Sequence, residues 1–183
     1  GSGERIAAVA EIIKKEAEIN NVVIVVSAMA GETDRLIELS KQFGDNQNKR
    51  EFDALISTGE KVSASLLALA LNSLGLKAKS YSAAQVSLKT TSNFSKAMIL
   101  DIDKAKMEEI LSDDSIPIIT GFQGITETGE VTTLGRGGSD TTAVAIAASI
   151  KADRCDIYTD VDGIYTTDPR IVPNAKKLDA ISM

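Results

Sequence analysis

The sequence predicts an α/β fold in which a mostly parallel sheet is covered on both faces by helices. Short apolar runs that are typical of buried strands alternate along the chain with longer segments of helical periodicity. Glycine-rich or hydroxyl-rich segments follow several of these strands, and in parallel sheets ligands bind outside the carboxyl ends of the strands. The length of 183 residues corresponds to about one domain.

The predicted elements follow one another in a regular order. Strands are predicted at residues 22–26, 77–81, 97–102, 116–120 and 156–159. Helices are predicted from Ser2, from near Glu32, and over residues 49–57, 59–74, 103–111 and 140–151. Residues 22–26 are all β-branched, which predicts a strand buried on both faces. Residues 85–95 are polar and are predicted to be irregular, whereas 126–133 are predicted to form a hairpin.

Composition excludes several classes of function. The chain has no histidine, which removes the Ser-His-Asp triad and the HExxH metalloproteases, and its net charge of −6 argues against a nucleic-acid binder. Cys155 is the only cysteine, so an internal disulfide cannot form and we expect a cytoplasmic protein. We expect Cys155 itself to be buried in a strand. No secretory signal and no run of roughly 20 apolar residues is evident. The remaining Lys, Arg, carboxylates and hydroxyls suit phosphoryl transfer.

The segment 135–140, Gly-Arg-Gly-Gly-Ser-Asp, precedes an alanine-rich helix and is the strongest local signal. Glycines allow close backbone approach, and a helix N-terminus offers N–H groups and partial positive charge to an anion. Arg136 could add a bidentate grip on a carboxylate or phosphate. The alternative is a tight turn capped by Ser139 or Asp140. The segment lacks the spacing of a Walker A loop.

Two further segments are candidates for a substrate site. Residues 26–33 follow the first strand, and the hydroxyls of Ser27 and Thr33 could orient a ligand; a packed turn is the equal alternative. In residues 57–60, Ser-Thr-Gly-Glu, Glu60 could bind a substrate ammonium. Alternatively, Thr58 caps a helix and Glu60 favours its dipole.

Residues 158–170 form a carboxylate-rich and hydroxyl-rich segment after the last predicted strand. The ligand spacing of an EF-hand is missing. The segment could surround the base and ribose of a nucleotide, and a solvated loop is the alternative. Ile164 and Tyr165 interrupt its polar run, which favours an ordered structure.

Together these segments resemble aspartate kinases. The motifs that carry the resemblance are residues 25–34 (VVSAMAGETD), 57–60 (STGE), 121–124 (GFQG), 135–140 (GRGGSD) and 158–170, in that family's order and across essentially the whole chain. The resemblance implies the amino-acid-kinase fold, a three-layer αβα sandwich around a mostly parallel sheet. It also implies transfer of the γ-phosphoryl group of ATP to L-aspartate, giving 4-phospho-L-aspartate, the first step toward lysine, threonine and methionine.

The resemblance also implies roles for individual residues. Arg136 would grip a substrate carboxylate, Glu60 would receive the α-ammonium, and Asp140 would organise a catalytic lysine. Other substrate-binding positions are Ser27, Thr33 and Ser139. The nucleotide would be bound by Thr159, Asp160, Tyr165 and Arg170. Mg²⁺ would bridge the phosphates of ATP, bound mainly through them and water.

The chain departs from that family at both ends. The strand with Lys-Phe-Gly-Gly-Thr-Ser, which carries the catalytic lysine, is missing, and the sequence stops before the ACT regulatory domains. We therefore expect residues 1–183 to be a partial catalytic domain, truncated at both ends and inactive alone. The resemblance implies a homo-oligomer or an assembly with ACT-containing chains, without membrane or nucleic acid. The alternatives are a glutamate, acetylglutamate, carbamate or uridylate kinase, or a non-catalytic binding module.

Overall fold

Helices and strands alternate along a computed structural model that describes residues 3–44, 48–158, 172 and 174–176. The helices in these ranges are α1 (Gly3–Ala17), α2 (Glu32–Lys41), α3 (Lys49–Ile56), α4 (Thr58–Ser73), α5 (Lys104–Ser112) and α6 (Gly138–Ile150). The strands are β1 (Ile24–Val26), β2 (Ala78–Tyr81), β3 (Leu88–Thr90), β4 (Ile99–Ile102), β5 (Ile116–Thr120), β6 (Gln123–Ile125) and β7 (Val131–Thr133).

The strands form two sheets. The first has the order β1-β5-β2 and is parallel throughout, which confirms the predicted α/β fold. The second has the order β4-β3-β6-β7 and combines two antiparallel pairs with one parallel pair. Two parts of this second sheet were predicted: the strand at 97–102, of which β4 is the observed part, and the hairpin at 126–133, which is observed as the antiparallel pair β6 and β7 and begins three residues earlier. Strand β3 was not predicted and lies within the segment 85–95 that was expected to be irregular. Its three residues are too few to show a period of two.

Helices cover both faces of the parallel sheet, as expected for a three-layer sandwich. Neighbouring side chains of a strand point to opposite faces, and Ile118 and Ile119 of β5 accordingly enter two different cores. On one face Ile118 packs in a cluster with Leu71 of α4 and with α1. On the other face Ile119 packs in a cluster with Met107 of α5 and Ile146 of α6. The sandwich therefore has α1 and α4 on one side and α5 and α6 on the other.

Three local expectations are wrong. Of the predicted strand 22–26 only Ile24–Val26 is a strand, and it is half-buried because β5 is its only partner among the described residues. A strand was predicted at 156–159, but its described part, residues 156–158, is not in a strand. Cys155 is exposed, because the segment around it pairs with none of the strands that the structure describes.

The helical run Lys49–Ser73 is apolar over a greater length than was expected from the sequence, in which no run of roughly 20 apolar residues was evident. Its 25 residues, spanning α3 and α4, are long and apolar enough to cross a membrane by length and composition alone. Half of its most apolar stretch is buried inside the protein, with Leu67 and Leu71 packed in the core. That burial is typical of a core helix in a globular domain.

Candidate functional site

The segments that follow β1 and β5 lie side by side at the carboxyl edge of the parallel sheet. Val26 is paired with Thr120, and the backbone N–H of Gly121 donates to the carbonyl of Val26 at 2.9 Å. Ser27, the next residue after β1, is exposed at this edge. Ligand sites of parallel α/β sheets occur at such an edge. The prediction that the motif 26–33 lies at a strand end is confirmed.

The N-terminus of α4 packs directly against the turn after β1. A Cβ atom on Gly59 would lie 2.8 Å from the Cβ of Ala28 and 3.5 Å from the Cγ of Glu32. A separation of 2.8 Å between two carbon atoms is well below van der Waals contact. Glycine at position 59 therefore allows α4 to approach the turn and brings the next residue, Glu60, to the same edge.

Glu60 is a buried carboxyl group with one unsatisfied oxygen. Its side chain is 3% exposed; Oε1 accepts the backbone N–H of Ala28 at 3.1 Å, whereas Oε2 has no partner among the described residues. Burial raises the pKa of Glu60 from 4.5 to about 7, against the lowering effect of the backbone hydrogen bonds. A cation placed beside Oε2 would satisfy that oxygen and favour the ionised form.

Glu32, which faces the same turn, contrasts with Glu60. Its carboxylate accepts two hydrogen bonds from the guanidinium of Arg35, at 2.7 and 2.9 Å, and that contact holds its pKa below the ordinary value. Glu32 thus has a cation partner within its own helix. Thr58 is not a cap, because its hydroxyl donates to the carbonyl of Leu55 and α4 has no side-chain cap. Glu60 lies in the first turn of α4, as the alternative of a favourable dipole interaction expected, but it is buried there.

The N-terminus of α6 reaches the same edge through Ser139. A Cβ on Gly121 would lie 2.8 Å from both the Cβ and the Oγ of Ser139. Only glycine leaves room for this contact, because the Cα of Ser139 would also be within 2.9 Å. The half-buried Ser139 therefore lies at the end of β5, next to Gly121, whose backbone N–H is hydrogen-bonded to the last residue of β1.

Residues 134–137, which precede α6 and are called the Arg136 loop below, are suited to binding an anion. The helix begins after Gly137, whose φ of 72° is left-handed, and no side chain caps it. The expectation of a simple cap by Ser139 or Asp140 is therefore wrong. Arg136 is exposed in this loop and forms no ion pair with any residue in the described ranges. An uncapped helix N-terminus beside an unpaired guanidinium is a favourable site for a carboxylate or phosphate.

The structure places Ser27, Glu60 and Ser139 at the carboxyl edge of the parallel sheet. Thr33 is half-buried in the first turn of α2, and Asp140 follows Ser139 and is exposed in the first turn of α6. The predicted nucleotide-binding positions lie outside the described residues; they are Thr159, Asp160, Tyr165 and Arg170.

Asp53, a fully buried carboxylate, was not among the residues predicted from the sequence. Its two oxygens accept four hydrogen bonds from Ser95 and Thr133. A signal was present: Asp53 lies three residues before the buried Ile56 of α3, on the same helix face. A charged residue at such a core position requires partners, because an unpaired buried charge is costly.

Comparisons with known proteins agree with this architecture. The family model of the amino acid kinase family matches residues 1–183. An aspartate kinase of Pseudomonas putida is 53% identical over 183 residues, which are 100% of this chain and 44% of that protein. The chain thus spans less than half the length of this curated relative.

Solved structures match the fold. The crystal structure of an aspartate kinase from Synechocystis, 48% identical, superposes with a TM-score of 0.78 over 96% of this chain and 29% of that one. The structure of E. coli aspartokinase III in complex with aspartate and ADP, 28% identical, also gives a TM-score of 0.78, over 97% of this chain and 51% of that one. The three-layer arrangement is therefore the amino-acid-kinase fold.

Proposed function

Because this chain belongs to the amino acid kinase family, we propose that it forms part of an ATP-dependent kinase that phosphorylates the side-chain carboxylate of L-aspartate. The observation that carries the proposal is the buried Glu60, which has an unsatisfied Oε2 atom. Glu60 lies at the carboxyl edge of the parallel sheet, which the Arg136 loop also borders. The 53% identity to the P. putida aspartate kinase supports it. The product would be 4-phospho-L-aspartate, a precursor of lysine, threonine and methionine.

Glu60 would recognise the α-ammonium of the substrate. An ammonium at Oε2 would supply the missing hydrogen bond and a countercharge in a poorly solvated position. The pKa of Glu60, about 7 without ligand, would fall once the cation is present, so that aspartate binding near neutral pH releases a proton. The exposed hydroxyl of Ser27 and that of Thr33 would orient the substrate from the β1–α2 segment.

Arg136 and the start of α6 would recognise the substrate's α-carboxylate. The guanidinium can bind a carboxylate through two parallel hydrogen bonds, which a lysine cannot reproduce. The uncapped N-terminus of α6 adds backbone N–H groups and partial positive charge, with Ser139 as a hydroxyl at the same position. An amino acid with an ammonium and a carboxylate on one carbon would be held between the two motifs.

The chemistry requires positioning more than proton transfer. The side-chain carboxylate of aspartate is already ionised at neutral pH, so no general base is needed. One of its oxygens forms the new bond to the γ-phosphorus, the bond from that phosphorus to the β–γ bridging oxygen breaks, and ADP leaves with the electron pair. Both reactants are anions, so charge neutralisation and alignment would supply most of the rate enhancement. Asp140 would contribute by organising a lysine at this edge.

ATP as the phosphoryl donor is supported by the ADP in the E. coli aspartokinase III structure. Thr159, Asp160, Tyr165 and Arg170 would line the nucleotide site, as the resemblance implies. Mg²⁺ would be bound mainly through the phosphates of ATP and water. The enzyme would act in the cytoplasm as a homo-oligomer or with ACT-containing chains.

The test is ADP release by the complete gene product that contains these 183 residues, with ATP, Mg²⁺ and either L-aspartate or L-glutamate. We expect turnover with L-aspartate. The additional methylene of L-glutamate displaces the reacting carboxylate by about 1 Å, and misplacement of that size can cost roughly 100-fold. Equal turnover of the two amino acids, or none with L-aspartate, would refute the assignment.

A further inference from the structure

Asp53 of α3 joins two separate segments that border the Arg136 loop. Its Oδ2 accepts the backbone N–H groups of Ser95 and Thr133, at 2.8 and 2.7 Å. Its Oδ1 accepts the hydroxyls of the same two residues, at 2.9 and 3.1 Å. A carboxylate has room for about four such bonds, so both oxygens are fully used. Asp53 is 0% exposed and forms no ion pair within the described ranges.

Both segments that are held by Asp53 border the Arg136 loop. Thr133 ends β7, two residues before Gly135, and its carbonyl accepts the backbone N–H of Ala97 at 2.9 Å. Ser95 belongs to the connection between β3 and β4, and its carbonyl oxygen lies 3.3 Å from where a Cβ on Gly135 would be. The connection around Ser95 therefore packs against Gly135 of the loop, and Asp53 links this connection to the end of β7.

Ser95 adopts a backbone conformation that needs such support. Its φ of 69° lies in the left-handed region, which is uncommon for a residue other than glycine. Conformations of this kind persist where the surrounding structure holds them, and they are frequent at ligand sites. The two bonds from Ser95 to Asp53 provide that restraint.

Asp53 also belongs to the helical run that carries Glu60. Helix α3 is followed directly by α4, and the carbonyl of Ser57 between them accepts the side-chain amide of the buried Gln123 at 2.9 Å. The run is thus fastened to β7 through Asp53 and to β6 through Gln123. Both links connect the helical run that carries Glu60 to the strands that precede the Arg136 loop.

We propose that Asp53 is a positioning residue, which places the Arg136 loop at the correct distance from Glu60 for one amino-acid substrate to contact both. The inference rests on the proposed function, because it assigns the two ends of the substrate to these motifs. Asp53 itself does not touch the substrate. Its contribution is geometric: four hydrogen bonds hold Ser95 and Thr133, the two residues that border the loop.

The geometric role predicts different results for two variants of the complete gene product. Asp53→Ala removes all four acceptors, whereas Asp53→Asn can accept both backbone N–H groups with its amide oxygen and donate its NH₂ group to the two hydroxyls. We expect Asp53→Ala to raise the KM for L-aspartate roughly 10- to 100-fold, as for a misplaced binding group, and to leave the KM for ATP unchanged. Asp53→Asn should restore most of the affinity for aspartate.

A double-mutant cycle and a measurement without substrate complete the test. Asp53→Ala and Arg136→Lys should be less than additive in kcat/KM for aspartate, since a displaced loop has already lost the contact of Arg136. Amide hydrogen exchange over residues 134–138 should be faster in Asp53→Ala than in the unmodified protein. If the unmodified protein does not phosphorylate aspartate, the proposed function fails, while hydrogen exchange still tests whether Asp53 holds the loop.

The proposal is overturned if folded Asp53→Ala keeps the wild-type KM for aspartate, or raises the KM for both substrates equally. Unchanged hydrogen exchange in the loop would overturn it as well. Should Asp53→Ala fail to fold, the variant with both Ser95→Ala and Thr133→Val removes only the two hydroxyl donors and leaves the backbone bonds. A selective rise of the KM for aspartate in that variant supports the proposal, and an unchanged KM refutes it.

Discussion

Replacing Glu60 by glutamine tests whether the carboxyl group is held in a position unfavourable to its charge. Burial raises the pKa of Glu60 from 4.5 to about 7. At about 1.4 kcal/mol per pH unit, ionised Glu60 costs the folded protein up to about 3 kcal/mol. The pKa of Glu60 is higher in the folded than in the unfolded protein. The stabilising contribution of its neutral form is therefore fully present below pH 4.5 and is lost as the pH rises through 7. Glutamine resembles the neutral carboxyl and carries no such penalty.

We therefore expect Glu60→Gln to stabilise the ligand-free protein at pH 8 and to have little effect at pH 5. For a domain of about 150–250 residues, about 3 kcal/mol corresponds to roughly 6–12 °C in the midpoint of that domain's own unfolding transition, as an upper limit. The assay is thermal unfolding of the complete gene product between pH 5 and pH 8 without ligand. Its matched control is Glu38→Gln, which makes the same chemical change at an exposed position of α2 paired with Lys41.

The control should show no pH-dependent difference from the unmodified protein. A stability difference for Glu60→Gln that is the same at pH 5 and pH 8 would refute the reasoning, as would a loss of stability at pH 8. Either result would mean that Glu60 is ionised without penalty and has its own countercharge.

Three further predictions concern packing and binding. Gly121→Ala should destabilise the protein by about 1–3 kcal/mol, as for overpacking against Ser139, and urea unfolding would show it; wild-type stability would contradict the close approach. Leu71→Ala, at a 0% exposed position of α4, should cost about 2–5 kcal/mol, whereas Leu69→Ala, 66% exposed on the same helix, should cost well under 1 kcal/mol. Equal losses would place the core on the wrong face of α4. Arg136→Ala should lower kcat/KM for aspartate, with a loss of about 2–4 kcal/mol in transition-state stabilisation, as for one preorganised donor. Arg136→Lys should still impair aspartate use because a point charge cannot replace the planar guanidinium, and wild-type kinetics in either variant would remove the residue from the site.

The sequence was sufficient for the parallel sheet and its covering helices because their signals are local. The run Ile116–Thr120 is mostly apolar and ends at Gly121, and it is the central strand of the parallel sheet. The cap of α5 was equally readable, since the side chain of Asp103 accepts the backbone N–H of Lys106. Glycine-rich and small-residue segments marked the carboxyl edge of the parallel sheet, where the segments that follow β1 and β5 lie side by side.

The remainder depends on contacts between residues distant in sequence. Leu88–Thr90 is a strand because Lys89 pairs with both Asp101 and Ile125, and no local pattern in three residues could reveal that. The burial of Glu60 follows from the close packing of Gly59 on Ala28, more than 30 residues away. Similarly, Asp53 and Thr133 are 80 positions apart, so the sequence could mark Asp53 as unusual without showing its partners.

The central claim, that Glu60 and Arg136 bind opposite ends of one aspartate molecule, is tested most directly by substrate analogues. Succinate lacks only the amino group of aspartate, and β-alanine lacks only its α-carboxylate. The measurement is kcat/KM of the complete gene product and of Glu60→Gln and Arg136→Ala with all three compounds. We expect Glu60→Gln to lose the preference for aspartate over succinate and to keep the preference over β-alanine, and Arg136→Ala to show the reverse. A proportional loss toward all three compounds in both variants would contradict the claim.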